Sequence, residues 1–364
     1  MGISNDSTRF MKCSNNDKFP YEYSFIEIND ISASSSSFYL FWDIPTSISY
    51  CTMSKDGSMA IWAFKNHNNN HVEISYCTIH NPITCTKKEI EGSNVFYNVI
   101  SISTSYNGKR VAIGIQSDVK EYFVRVYKYD GKSLTLFGND ILKYAALDSS
   151  IAFFSNDILD NNDSDDNDLE SGKSGILISA INSLSVSEDG DVIAIGYSST
   201  DTTNNISSSQ VDVYTYNQLL PHWNKKDTIL QNINNDNEQL FEITSTSLAS
   251  NGNLIAIGSS SNTTANNQTG KCQLFQITNN IWKEITIQNK VSKVLLSGNG
   301  KRLFLSLSNR IQVYDYDEEH WIPVGLLSYD KSNVTITELS TTFNGDRIVI
   351  SSYDMVHVFD EIVK

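Results

Sequence analysis

The chain has 364 residues, with 27 Lys+Arg against 42 Asp+Glu and a formal net charge of -15. That balance excludes nucleic acid as an expected partner, because phosphate binding needs clustered cations that release counterions. At 40% hydrophobic and 19% charged the chain is too apolar for wholesale disorder. Five scattered cysteines, Cys13, Cys51, Cys77, Cys85 and Cys272, are too few and odd in number for a disulfide framework, which predicts a reducing compartment. The first 18 residues are polar and read as no secretory signal, and no stretch approaches the ~20 apolar residues that cross a bilayer. The expectation is a soluble, cytoplasmic protein with no membrane partner.

Taken in chain order, residues 11–18 resemble a decayed strand and turn, and six clearer units follow. Each clear unit centres on a hairpin dipeptide: Asp56-Gly57, Asn107-Gly108, Asp189-Gly190, Asn251-Gly252, Asn299-Gly300 and Asn344-Gly345. Such pairs tolerate the positive φ of a type I′ turn, so each predicts a tight hairpin. Before the turn lies an alternating Ser-rich strand, as in Ser101-Ile102-Ser103-Thr104-Ser105. After it comes a strand apolar on both faces, as in Val111-Ala112-Ile113-Gly114 and Ile193-Ala194-Ile195-Gly196, and therefore buried. A third strand ends in Val-Tyr or a relative of it at Tyr127, Tyr214, Phe275, Tyr314 and Phe359. Tryptophans follow at Trp223, Trp282 and Trp321, with Leu134 in the same place seven residues after Tyr127.

Four antiparallel strands recurring at this length predict an all-β fold, a β-propeller of four-stranded blades occupying residues 1–364 as one domain. Glycine-to-glycine spacings are 51, 82, 62, 48 and 45. The 82-residue gap has two explanations, a degenerate blade near residues 150–154 or an insertion, and the insertion is preferred, at residues 141–175 with an acidic disordered loop at 160–170. Excising residues 160–170 is expected to shift the melting temperature by no more than about two degrees, since surface loops change closure entropy little. Six clear units plus the N-terminal copy predict seven blades, with six or eight as alternatives. The last unit has three strands, so the N-terminal segment is expected to close the ring and cover the open edge.

The Ser-x-Ser-x-Asp/Asn-Gly, Val-x-Val-Tyr and Trp pattern resembles WD40 and FG-GAP propeller repeats over about residues 48–364. Gly-His and Trp-Asp signatures are missing, with Tyr314-Asp315 and Phe359-Asp360 as the nearest echoes, and no Asp-x-Asp-x-Asp-Gly calcium loop is present. The resemblance implies a rigid ring that presents loops to another protein.

Motifs with possible chemistry have structural explanations. Residues 167–174 mimic a phosphate-binding loop, but Asn167 stands where the first Gly is needed and an acidic run precedes it. Asp163, Asp165 and Asn167 alternate as in a calcium loop without its turn Gly and closing Glu. His67, His71, Cys77, His80 and Cys85 are the densest soft-ligand set and read as loop histidines and structural thiols. His222 and His320 read as turn residues. Arg110, Arg302 and Arg347 each sit two residues after a hairpin glycine and read as exposed solubilising arginines or, as a ring, an anion site. No catalytic, cofactor-binding or metal residue is predicted. The expected function is a non-catalytic protein-interaction or scaffold module. The alternatives are a hydrolase or lyase acting at the central channel, and a structural surface or virion component.

Overall fold

The computed structural model describes residues 2–3, 9–16, 23–30, 37–44, 48–65, 71–79, 84–90, 97–117, 121–144, 176–201, 206–233, 241–261, 270–278, 281–287, 291–307, 310–328, 336–352 and 356–359. All regular structure among these is β, and the fold is a β-propeller. Six blades, not the expected seven, follow one another along residues 48–359, each an antiparallel meander in sequence order. Their inner strands are Ile48–Met53, Tyr97–Thr104, Ile176–Val186, Phe241–Leu248, Lys293–Leu296 and Ile336–Thr341. A further four-stranded sheet, from Gly2–Ile3 to Ser37–Ile44, precedes them. The sixth blade has three described strands, ending at Val356–Phe359.

The apolar second strands make the core because each sheet is buried on both faces by its neighbours. Met59, Ile61 and Ile74 of the first blade pack on Val111, Ile113 and Tyr127 of the second. Val124 and Val126 of the second pack on Ile193 and Ile195 of the third. The same layering repeats between later blades, and Met11 of the N-terminal sheet packs on Trp62 and Phe64. Sheets converge toward the axis, so inner strands meet at close range and need small side chains. That explains their Ser-rich composition. Ser185 Oγ accepts from Leu248 N at 2.8 Å, Ser247 Oγ from Leu296 N at 2.9 Å and Ser245 Oγ from Val294 N at 2.9 Å, so serine of one blade satisfies the open edge of the next.

The hairpins differ from the type I′ expectation. The six hairpin glycines have φ of 67–80°, but the Asp or Asn before each does not. Gly57 N donates to Ser54 O at 2.9 Å and Ser54 N to Met59 O at 2.9 Å, a pattern that recurs from Gly108 to Gly300. This is a type I turn followed by a left-handed glycine. The side chains dictate it. Ser54 Oγ donates to Asp56 Oδ1 at 2.6 Å and accepts from Met59 N at 2.9 Å, while Asp56 Oδ1 accepts from Ser58 N at 2.9 Å. Ser187 with Asp189 and Ser297 with Asn299 repeat the loop.

Two expectations are corrected by the register. Residues 141–144, assigned to the insertion, form the strand Ile141–Tyr144, which pairs with Tyr122–Tyr129. Ile141 and Leu142 are buried, and Asp140 accepts both Arg125 Nε and Nη2 at 2.7 Å, which ties the segment to its blade. Residues 145–175, including the acidic loop, lie outside the described residues. The reading of Cys77 and Cys85 as structural thiols is also corrected. Cys77 and Cys85 face each other across adjacent strands with Cα atoms 4.0 Å apart and form a disulfide, and Cys51 is disulfide-bonded as well. Such bonds persist in oxidising surroundings. Cys272 is a buried free thiol whose pKa is raised by desolvation.

Candidate binding channel

Counting back from each hairpin glycine superposes the inner strands and shows which side chains ring the axis. Two residues before the glycine stand Lys55, Tyr106, Glu188, Ser250, Gly298 and Phe343. Their backbones form a belt from blade to blade: Asp56 N donates to Tyr106 O at 3.0 Å, Tyr106 N to Glu188 O at 3.0 Å, Glu188 N to Ser250 O at 2.9 Å and Ser250 N to Gly298 O at 2.8 Å. Asn299 N continues it to Phe343 O at 2.9 Å. The belt fixes one mouth of the channel. Seven residues before the glycine stand Tyr50, Ser101, Ser183, Ser245, Lys293 and Glu338, nearer the other mouth.

Between the mouths the inner strands of all six blades surround a cavity of about 600 Å³. Its charged lining residues among those described are Lys55, Lys293 and Glu338. Lys293 Nζ lies 3.6 Å from Glu338 Oε1. Burial, then the charge of Glu338, raises the Tyr50 hydroxyl above its ordinary pKa, so it stays protonated at neutral pH. Lys55 is only half-buried by surface, yet desolvation within the narrow channel is the leading effect and lowers its ammonium, with Glu188 pulling the other way. Glu338 is the one carboxylate among the described lining residues, so no carboxylate pair of the kind a hydrolase uses is formed among them.

The three arginines do not form an open ring. Arg302 grips Asp315 through Nε at 2.5 Å and Nη2 at 2.8 Å and donates to Gly345 O of the next blade at 3.0 Å. Arg110 lies 3.8 Å above the Phe137 ring, with Asp191 of the next blade at 3.9 Å. Both are largely buried, at 16% for Arg110 and 13% for Arg302, because the next blade's hairpin covers the position. They are braces between blades, and the exposed reading of them is corrected. Arg347 N donates to Thr342 Oγ1 within its own hairpin.

No group of metal-ligating side chains converges among the described residues. Cys77 and Cys85 are joined to each other, His71 Nδ1 contacts Glu89 Oε1, and His67 and His80 lie outside the described residues. His320 is exposed in a turn where its N–H donates to Asp317 Oδ1 at 2.6 Å, as expected of a turn residue. Sequence reading missed Lys55, Tyr50, Lys293 and Glu338, although their fixed offsets from the hairpin glycines were available.

No protein-family model matches the chain, and no curated protein matches it. Solved structures do match. A chain of the mitotic checkpoint complex is similar with a TM-score of 0.59 at 12% identity, over 100% of this chain and 89% of that one. Sqt1 from Chaetomium thermophilum gives 0.54 at 11% identity, over 99% and 95%. A "putative 6-phosphogluconolactonase" from Bacteroides uniformis gives 0.55 at 14% identity, over 97% and 92%. These likenesses show the fold, a β-propeller with WD40-like repeats. No helix among the described residues is long and apolar enough to cross a membrane.

Proposed function

We propose that the protein is a non-catalytic interaction module that binds another protein at the face carrying its hairpin turns. The observation that carries this is a pair of exposed leucines, Leu219 and Leu220, with 92% and 61% of their surface open to water. They sit in the turn between strands Ile206–Asn217 and His222–Ile233. In a four-stranded meander the first and third turns share one end, so this turn stands beside the Gly190 hairpin. Gln218 Nε2 donates to Asp191 Oδ2 at 3.2 Å and fastens the two. Asn217 Oδ1 accepts from Leu219 N at 3.0 Å and Leu220 N at 3.2 Å, so the pair is displayed on an ordered turn. Two adjacent leucines held in water gain on burial against an apolar partner surface.

The double variant Leu219→Ser/Leu220→Ser is expected to lose capture of the partner from the native source. Its stability should stay within about 0.5 kcal/mol, as for surface changes generally. Capture unchanged by the substitution overturns the proposal. A second reading, a hydrolase or lyase at the channel, is favoured by the channel's cavity and by the neighbour named for a lactonase. In this proposal the N-terminal sheet closes the ring between the first and sixth blades. Strand Gly2–Ile3 lies against both Ile48–Met53 and Ile336–Thr341, which supports closure there. Residues 1–364 then form one domain, with residues 145–175 carrying the insertion. The Cys77–Cys85 disulfide favours an oxidising location over the cytoplasm.

A further inference from the structure

Within the channel one charged group makes no close ion pair, the charge of Glu188 reaching it only from beyond 4.0 Å. Lys293 is beside Glu338, whereas Lys55 makes no ion pair within 4.0 Å among the described residues. Two lysines against one glutamate leave the described lining with a net charge of +1, inside a protein whose formal net charge is -15. Field lines focus in such a narrow, low-dielectric passage, so a small positive excess there counts for more than on the surface.

The hydroxyls of the wall are oriented as well. A serine hydroxyl has one proton and two lone pairs. Ser185, Ser245 and Ser247 each accept a backbone N–H of the following blade, which pins the oxygen and leaves the proton to be donated. All three line the same cavity as Lys55. The wall thus offers donors and a cation in a volume of about 600 Å³, within the range of small-molecule sites.

We propose that the channel is an oxyanion site, in which Lys55 supplies the charge and Ser185, Ser245 and Ser247 donate hydrogen bonds to a small molecule bearing a phosphate or carboxylate. The site is separate from the leucine turn, so either can fail without the other.

Titration calorimetry on the full chain tests it, with inorganic phosphate in one arm and acetate in the other, against chloride at matched ionic strength. Saturable binding in at least one arm is expected, and the arm that responds identifies the anion class. Lys55→Met should weaken binding about tenfold, the scale of one charge-assisted hydrogen bond, while Lys301→Met, at an exposed hairpin position, should not change it. Should Lys55→Met fail to fold, acetylation of the wild-type protein decides. The bound anion should slow modification of Lys55 and leave Lys301 unaffected. No saturable binding in either arm, equal binding by Lys55→Met, or anion-independent acetylation of Lys55 overturns the proposal.

Discussion

Trp223→Ala is expected to lower unfolding free energy by about 3–5 kcal/mol, the range for removing a large buried aromatic. Trp223 is 4% exposed and lies where the second and third blades meet. Its Nε1 donates to Phe137 O at 3.0 Å, and its backbone N–H donates to Asn139 Oδ1 at 2.7 Å. Around it Phe137 stacks on Tyr216 at 4.0 Å, Tyr216 meets Trp223 edge-on at 5.3 Å, and Arg110 caps Phe137. Alanine would remove the ring that Phe137 and Tyr216 lean on and orphan the Phe137 carbonyl. Trp223→Phe keeps most of the apolar area and loses the N–H donor, so about 1–2 kcal/mol is expected from it. Urea unfolding followed by far-UV circular dichroism measures both. A loss below about 1 kcal/mol for the alanine variant would show that the blades are not joined through this stack.

What could be read from the sequence was what is local. Hairpin, buried strand and Val-Tyr strand each leave their pattern within about ten residues, so the blades and their order followed from repeat spacing alone. Interfaces between blades leave no such trace. Arg110 and Arg302 look solvent-facing from their own strand, and only the neighbouring hairpin, 82 or 45 residues further on, reveals that they are covered. Cys77 and Cys85 are eight residues apart and become opposite only once the register across residues 79–83 is set. The channel lysines were legible in principle. Aligning the units on their glycines places Lys55 and Glu188 at one offset and Tyr50, Lys293 and Glu338 at another, but an offset names a ring without saying that the ring encloses a cavity.

The repeat carries a second device between blades, and it makes a sharp test. A Cβ on four of the six hairpin glycines would abut the residue two places past the glycine of the preceding blade: Met59 under Gly108, Arg110 under Gly190, Val192 under Gly252 and Arg302 under Gly345. At Gly190 the added carbon would stand 2.2 Å from Arg110 Cγ and 2.6 Å from its Cβ, at φ +80°. Gly131 separates the two contributions, since it has φ +97° with nothing within 4 Å. Gly131→Ala should therefore cost only the backbone strain, about 1–2 kcal/mol. Gly190→Ala adds the displacement of a side chain held under Phe137 and should cost about 3 kcal/mol or more. Arg110→Ala removes the nearer atom but leaves Cβ, so the double variant should recover part of the loss and no more, a coupling that a double-mutant cycle reads directly. Equal losses at Gly131 and Gly190, with no coupling to Arg110, would mean that positive φ alone keeps glycine in the hairpins and that the blades do not interlock there.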